Sequence, residues 1–511
     1  MNRHLRFPVA LLAFGVPSAL AQPKPPEPDR GAEAPKIQVT EGSRSEPAAR
    51  TSAEDDLGVK LAALVARPSG LTSADVGRRA ARSSRDVRAK QAEVAAAEAE
   101  LDKAVVGWFP RLTLTARYTH LSPIDTPSIG PGSGSLVATP AGPGPLPPGT
   151  PLVGVPASAF SFPTIQDQYA LQATLSLPVS DYFLRISQTQ SAANHGKGAA
   201  ELTHRAAKLN AAADAKLVYY TWARAKLSVE VARQSLSQAK THEEAAKTLF
   251  EVERASKADV LRAESQVSSA ELLVERSKNL AELTEDRLRT ILRDPPETRY
   301  EIGEDLFAPL PPRAERLDFK RAYDEAVRQR LELRALDKAG LSLKEQRRAT
   351  QNSGLPRLDA FGNAYYANPN QRYVPQQKEW NATWDVGLQL SWTPNDVLTT
   401  RAAAAGLEAQ QAKVEVQKEQ LRDALRSEVF DATQAVREAE VALSTAERGA
   451  KAAEEAYRVR REQFVLGRAS SVELTDAESE VLRARLEVIH SRVGMRIARV
   501  KLDHAIGRDA R

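Results

Sequence analysis

Cysteine is missing from the 511-residue chain, aromatic residues are few, and the net charge is small. Without cysteine there is no disulfide scaffold, no thiolate metal site and no thiol nucleophile. Phe, Trp and Tyr make up 5% of the residues, which is low for several globular cores but typical of long alanine-rich helices. Lys plus Arg number 71 against 66 Asp plus Glu, without clustering, so no nucleic-acid binding is indicated.

Long apolar runs are missing too: no stretch of roughly 18 consecutive apolar residues occurs, so no transmembrane helix is predicted. Residues 1–21 resemble a secretory signal peptide, with Arg3 and Arg6 before the apolar run 9–16 and a small-x-small cleavage pattern at 19–21. An uncleaved N-terminal anchor is the alternative, although the run is short for a bilayer. We therefore expect an exported protein that is either soluble or a barrel.

The segment after the predicted signal peptide is rich in proline and polar residues from Gln22 to about Thr51. Such a composition buries too little apolar surface to offset the entropy lost on folding. We assign residues 22–70 as a disordered N-terminal segment.

The rest of the chain contains two copies of one arrangement. Residues 254–265 (RASKADVLRAES) align with residues 468–479 (RASSVELTDAES), with six of twelve positions identical at an offset of 214. We assign the first copy to 71–295, a proline-containing connector to 296–315 and the second copy to 316–511. The first copy carries an additional Pro/Gly-rich insertion at about 122–165.

Apolar and polar residues alternate in two segments of each copy, which predicts strands with one apolar face. Aromatic side chains near the strand ends fit the girdles of a membrane sheet, and a sheet in a soluble domain is the alternative. The predicted strands lie at about 109–121, 167–178, 356–368 and 379–393. The candidate membrane-interface aromatics are Tyr118, Tyr169, Tyr366, Trp380, Trp384 and Trp392.

Each copy also predicts a hairpin of two long helices. From Leu425 to Tyr457, apolar residues recur in alternating steps of four and three, the seam of a left-handed coiled coil. The predicted helix continues on both sides of this seam, and a helix of about 65–70 residues extends about 100 Å at 1.5 Å per residue. The predicted helices span about 180–252, 257–293, 396–465 and 471–507.

Four strands per chain cannot close a membrane barrel. Unpaired strand edges in hydrocarbon cost several kcal/mol per group, and bacterial barrels start at about eight strands. Several chains must therefore join if the strands face lipid. The closure argument alone does not choose their number.

In these features together, the sequence resembles the TolC family of outer-membrane efflux and secretion ducts. The resemblance extends from about residue 71 and includes the turn motif 464–474 (FVLGRASSVEL). It implies a mainly α fold with a membrane β-barrel portion: a homotrimer with a twelve-stranded barrel in outer-membrane lipid and a periplasmic α-helical tunnel. It also implies a periplasmic adaptor and an inner-membrane pump of the RND, ABC or MFS class, in efflux or type I secretion.

The same resemblance places the two interhelical turns at the periplasmic tip. Gly467 matches the family's tip glycine, whereas the first copy has Glu253 there, so its adaptor contact is expected to differ. The candidate adaptor-docking residues are Arg254, Ala255, Ser256, Gly467, Arg468, Ala469 and Ser470.

By resemblance, Glu473 and Asp476 occupy the positions of an acidic constriction. The first copy has the candidate Asp259 at the position of Glu473 but Arg262 at that of Asp476, so a salt-bridge partner is the alternative for its contribution. A threefold ring of carboxylates would attract cations and repel anions. Alternatively, these residues cap helix N-termini, where acidic side chains complement the helix dipole. Sequence alone leaves both interpretations open.

The sequence therefore predicts a passive duct rather than an enzyme. Its seven histidines have no metal-ligand spacing, so neither a metal nor another cofactor is expected. A soluble periplasmic coiled-coil adaptor or scaffold is the first alternative, but adaptors carry one helical hairpin and this chain predicts two. A secreted hydrolase is the second alternative, and it would need a catalytic set that the sequence does not offer.

Overall fold

A computed structural model describes residues 52–123, 136–138, 148–149, 153–155, 165–310 and 318–508. The predicted signal peptide and residues 22–51 lie outside the described residues, as do most of the insertion and part of the connector. Among the described residues, no helix is both long enough and apolar enough to cross a membrane.

The first copy contains helices, then strands, then a helical hairpin. Helix α1 precedes the copy, and two helices come first within it. A short α4 and one π-helical turn at Tyr182–Ile186 separate the last strand from the hairpin. The elements are α1 Ser52–Leu64, α2 Ser73–Ser83, α3 Arg85–Val106, β1 Arg111–His120, β2 Leu136–Ala138, β3 Val153–Val155, β4 Asp167–Leu177, α4 Val179–Asp181, α5 Ser187–Glu251 and α6 Lys257–Leu292.

The second copy repeats this order without an insertion between its strands. Its elements are α7 Phe319–Gln329, α8 Leu331–Asn352, β5 Arg357–Asn368, β6 Asn381–Ser391, α9 Asp396–Val465 and α10 Ser471–Ala505. The predicted fold class, two long helical hairpins and four main strands, is confirmed.

The four main strands form one antiparallel sheet in the order β1-β4-β5-β6. The two copies meet where β4 pairs with β5, for example Leu175 with Gly362. The short strands β2 and β3 pair separately. Within the described residues, β1 and β6 each pair on one side only.

The two faces of the sheet differ in polarity because the register aligns residues of like character. Leu114, Ala173, Ala364 and Trp384 form one row across the strands. Leu114 and Trp384 are 73% and 74% exposed. The adjacent row, on the opposite face, is Thr115, Gln172, Tyr365 and Thr383. One chain therefore presents an uncovered apolar sheet face.

The two long hairpins, α5–α6 and α9–α10, pack against each other through α5 and α10. The predicted heptad seam of α9 is buried, with Leu425 and Val429 fully enclosed. The largest buried cluster surrounds Trp222 of α5 and includes Leu288 of α6 and Ile489 of α10. Helix packing of this kind stabilises segments that local propensity alone would leave marginal.

The prediction of disorder is wrong for residues 52–70. Leu57, Leu61 and Leu64 recur at helical spacing within α1, and Leu57 is buried. Leu61, Leu64 and the buried Val65 join the cluster around Trp222. The proline-rich composition ends at about Thr51, and the assignment was extended to residue 70 although residues 52–70 do not share that composition.

Candidate functional site

The turns that join α5 to α6 and α9 to α10 have the same backbone geometry. One residue in each takes the left-handed conformation: Glu253 with φ 59° and Gly467 with φ 69°. The next amide closes each turn through a 2.8 Å hydrogen bond to a carbonyl five residues earlier (Arg254 to Leu249, Arg468 to Gln463). The first copy therefore keeps the turn although it lacks the glycine.

A capping box follows each turn. The Ser470 hydroxyl accepts from the Glu473 amide at 3.3 Å, and the Glu473 carboxylate accepts from the Ser470 amide at 3.0 Å. Ser256 and Asp259 repeat these bonds at 3.2 and 3.0 Å. The capping geometry considered for Glu473 and Asp259 is thus present, with two donors satisfied reciprocally in each box.

The acidic groups in the first two turns of α10 differ in their surroundings, and capping leaves Glu473 open to solvent. The Glu473 side chain is 46% exposed and lies 3.5 Å from Arg460 of α9. Asp476, one turn further along α10, is exposed. A carboxylate that caps a helix still contributes its negative charge to the surrounding solution, so a capping role and an electrostatic role are compatible.

The candidate docking residues all lie in or beside the two turns. Five of them are exposed, and the two alanines are partly buried. Ala469 packs against the apolar cluster that joins the hairpins near this end. The exposed residues are Arg254, Ser256, Gly467, Arg468 and Ser470.

A buried polar cluster near the same end was missed by the sequence analysis. His242 of α5 is 3% exposed, and its Nδ1 lies 3.2 Å from the carboxylate of Glu478 of α10. Its Nε2 lies 3.3 Å from the hydroxyl of Ser471. Its ring and that of Phe464 pack in a T-shaped arrangement, with 5.1 Å between the ring centroids. The cluster therefore links one hairpin to the other through buried polar groups.

A signal for this cluster exists in the sequence. Ala239, His242, Ala246 and Leu249 follow one another in steps of three and four, so the histidine lies on the packed seam of α5. Ala239, His242 and Ala246 are buried. A histidine on an apolar seam requires a polar partner, but the partner belongs to another helix and the spacing does not identify it.

Aromatic side chains form a band at the loop end of the sheet. Tyr118 packs on Tyr169 at 5.1 Å, Tyr169 on Trp380 at 6.1 Å, and Trp380 on Tyr366 at 4.9 Å between ring centroids. Trp384 lies one row further along the same face and makes no ring contact with these four side chains among the described residues. Four of the six candidate interface aromatics are thus brought together.

A second aromatic group lies at the helix end of the sheet. Trp392 donates from Nε1 to the Gly354 carbonyl at 3.1 Å. Trp108 stacks on Tyr182 at 5.6 Å. Phe109 and Phe183 are also here and are 67% and 77% exposed. The sequence analysis did not select these last four residues. Trp108, Tyr182 and Phe183 lie outside the predicted strands, and Phe109 lies at the start of its predicted strand, before the alternation begins.

An exposed apolar sheet between two aromatic groups, continued by helices about 100 Å long, defines a membrane channel component. The family model for outer membrane efflux proteins matches residues 76–292 and 322–508. The chain belongs to this outer membrane efflux protein family, and its resemblance to the TolC family is confirmed.

Solved structures share the fold at low sequence identity. The outer-membrane channel OprN is 18% identical with a TM-score of 0.63, covering 92% of this chain and 98% of that chain. CmeC from Campylobacter jejuni is 14% identical with a TM-score of 0.64, covering 93% and 94%. VceC from Vibrio cholerae is 14% identical with a TM-score of 0.66, covering 84% and 95%. Among curated proteins, none matches the chain.

Family membership decides between the alternatives left open by the sequence. The chain is an outer-membrane efflux duct with its helical tunnel in the periplasm, rather than an enzyme. It is therefore neither the soluble adaptor nor the hydrolase considered above.

Proposed function

We propose that three copies of this chain form one continuous duct across the outer membrane and periplasm. Each chain contributes four strands to a twelve-stranded barrel and two helical hairpins to the tunnel. Solutes exported by an inner-membrane transporter and a periplasmic adaptor leave the cell through the shared lumen. No chemistry is performed on them.

The sheet with two unpaired edges carries this proposal. β1 and β6 each have one strand neighbour within the described residues, while the apolar face between them is exposed. In lipid, the unpaired amides and carbonyls of these edges would cost several kcal/mol each. Pairing β6 of one chain with β1 of the next removes all unpaired edges, and the family resemblance favours three chains.

The two aromatic groups support placement of this sheet in a bilayer. A strand of about ten residues extends about 33 Å, which becomes about 25 Å along the barrel axis at a tilt near 40°. That height matches the apolar band of outer-membrane barrels. We assign the loop-end band containing Trp380 to the outer interface and the helix-end group containing Trp392 to the periplasmic interface.

The opposite end of the hairpins is proposed to dock the adaptor. The two turns there expose basic and small residues, with Arg254 in the first copy and Gly467 and Arg468 in the second. A glycine without a side chain lets a partner approach the backbone closely. Glu253 adds a side chain and a negative charge, so the two turns would contact an adaptor differently.

The mass of the purified, full-length protein in detergent tests the proposal. Light scattering corrected for detergent is expected to give three chains per particle. In planar bilayers the same sample should produce discrete conductance steps. A mature chain that remains folded and monomeric in buffer without detergent would exclude the proposed duct.

A further inference from the structure

We propose that His242, Glu478 and Ser471 form a proton-binding latch that links the two hairpins near the tip. The structure joins α5 to α10 here through two hydrogen bonds to a single imidazole. His242, Glu478 and Ser471 are 3%, 5% and 1% exposed. The inference rests on the proposed function, since a tip that opens has meaning only in a duct.

The charge of the cluster depends on how many protons it holds. With one proton, an imidazolium faces a carboxylate, the pair is neutral, and both ring nitrogens donate, to Glu478 and to Ser471. Without this proton, a buried carboxylate remains with no opposite charge. With a second proton on the carboxyl group, a buried imidazolium is uncompensated. Burying one unpaired charge is far more costly than burying a hydrogen-bonded pair.

The carboxylate of Glu478 already has an unmet hydrogen-bonding requirement. Its Oε1 atom is buried and accepts no hydrogen bond from the part of the chain that the structure describes, while Oε2 lies beside His242. Phe464 of α9 packs against the imidazole, and the apolar cluster to which Phe464 belongs includes Ala246 of α5 and Leu474 of α10. Loss of the imidazole proton therefore favours separation of the helices and entry of water.

Several other charged groups on the surrounding helices pair with one another. In α5 and α6, Lys247 pairs with Glu243 and lies 3.9 Å from Glu264, and Lys240 lies 3.6 Å from Glu271. In α9 and α10, Arg485 pairs with Glu454 at 2.9 Å and Arg460 with Glu473 at 3.5 Å. Among the described residues, His242 is the basic group within 4 Å of Glu478.

The latch occurs at one of the two equivalent positions in the chain. At the offset of 214, His242 corresponds to Ala456 and Glu478 to Glu264. Glu264 is exposed, so the second pairing has no buried counterpart. A change in proton occupancy is therefore expected to move the hairpins relative to each other rather than to loosen both equally.

Thiol labelling in the full-length detergent-solubilised protein tests the latch. Because the chain has no cysteine, Ala246→Cys introduces a unique thiol at a fully buried position one turn from His242. Its maleimide labelling rate is divided, at each pH, by that of the exposed control Thr248→Cys, which removes the intrinsic pH dependence of the thiol. A latch with one proton predicts that this ratio is higher in alkaline than in acidic buffer, with a slope of at most about tenfold per pH unit, the limit for release of one proton.

Variants in the Ala246→Cys background identify the responsible groups. His242→Gln combined with Glu478→Gln should abolish the pH dependence, whereas His195→Gln on the same helix should preserve it. If the double variant does not fold, Glu478→Gln alone decides, because an unpaired imidazolium should reverse the dependence and open the interface in acid. A ratio independent of pH in the unmodified latch, or an unchanged rise in Glu478→Gln, would overturn the inference.

Labelling separates this inference from the proposed function. It requires neither a trimer nor ion conduction. A protein that conducts but labels independently of pH loses the latch and keeps the duct. A protein that labels as expected but forms neither trimer nor channel loses the duct.

Discussion

Glu253 and Gly467 adopt the same left-handed backbone conformation, and only one of them is a glycine. A Cβ built on Gly467 would meet no atom of the described residues within 4 Å, so space within them does not require glycine there. The requirement is the backbone conformation, which costs a residue with a side chain about 1–2 kcal/mol. The first turn therefore carries a strain that the second turn avoids.

Substitution at the two turns should accordingly have unequal effects. Gly467→Ala is expected to lower the free energy of unfolding by about 1 kcal/mol, because it introduces a Cβ at positive φ. Glu253→Ala is the matched control and should change it by only a few tenths, since both residues carry a Cβ. Thermal unfolding in detergent, followed by circular dichroism, measures both. Equal losses would contradict the conformational explanation.

Tyr219 gives the core of the hairpins a defined response to alkali. Its side chain is fully buried and donates to the Leu71 carbonyl at 2.8 Å. Burial raises the pKa of its phenol well above the ordinary value of 10.0. The unfolded chain therefore loses this proton at lower pH than the folded chain, so folding stability declines as pH rises above about 10.

Tyr219→Phe should make that alkaline decline shallower. Below pH 9 the variant should be less stable than the parent by about 1 kcal/mol, because the hydrogen bond is lost. Between pH 9 and 11 the difference should shrink. Thermal midpoints across this range provide the measurement, with Tyr373→Phe at an exposed position as control. Parallel profiles for Tyr219→Phe and the parent would refute the assignment.

At the scale of the element, Leu114 and Thr115 of β1 offer a test of which sheet face meets lipid. They are neighbours on one strand and belong to opposite faces. Leu114→Arg should destabilise the membrane-inserted protein by about 2–4 kcal/mol, as charged groups facing the bilayer midplane do. Thr115→Arg, which faces the polar side, should leave insertion nearly unchanged.

Heat resistance of the assembled protein extracted from outer membranes measures this pair. The surviving fraction should fall sharply for Leu114→Arg and little for Thr115→Arg. A soluble sheet would show no such loss, because Leu114 is already 73% exposed in one chain. Equal tolerance of both variants would therefore argue against lipid contact.

The elements were predictable where their signal is local. Alternation with period two locates β6, and alternating steps of four and three locate α9, which begins at Asp396 and ends at Val465 as predicted. Helix α1 was missed because the assignment of disorder was extended beyond the neighbouring proline-rich tract. The partnership of His242 with Glu478 could not be predicted, since those residues are 236 positions apart and meet only when the two copies pack.

At the scale of the whole molecule, one chain is an incomplete object. It exposes an apolar sheet face, two strand edges and the sides of helices built for lateral packing. Such surfaces are satisfied by lipid and by further copies rather than by water. In the proposed duct, properties of the lumen such as ion selectivity therefore depend on the assembly, in which each acidic residue of the proposed tip occurs once per chain.

Glu473 and Asp476 make this assembly property measurable. Glu473→Gln combined with Asp476→Asn should reduce cation preference in planar bilayers, because the proposed tip loses two negative charges per chain. Glutamine at the third helical position can still accept from the Ser470 amide, so the cap is retained and stability should stay nearly constant. Reversal potentials in asymmetric KCl give the selectivity, and thermal unfolding gives the stability. Ser470→Ala is the control, since it removes a cap hydroxyl and keeps the charges: it should lower stability and leave cation preference unchanged. Unchanged selectivity and conductance in the double variant, with an intact fold, would limit both carboxylates to local roles such as capping.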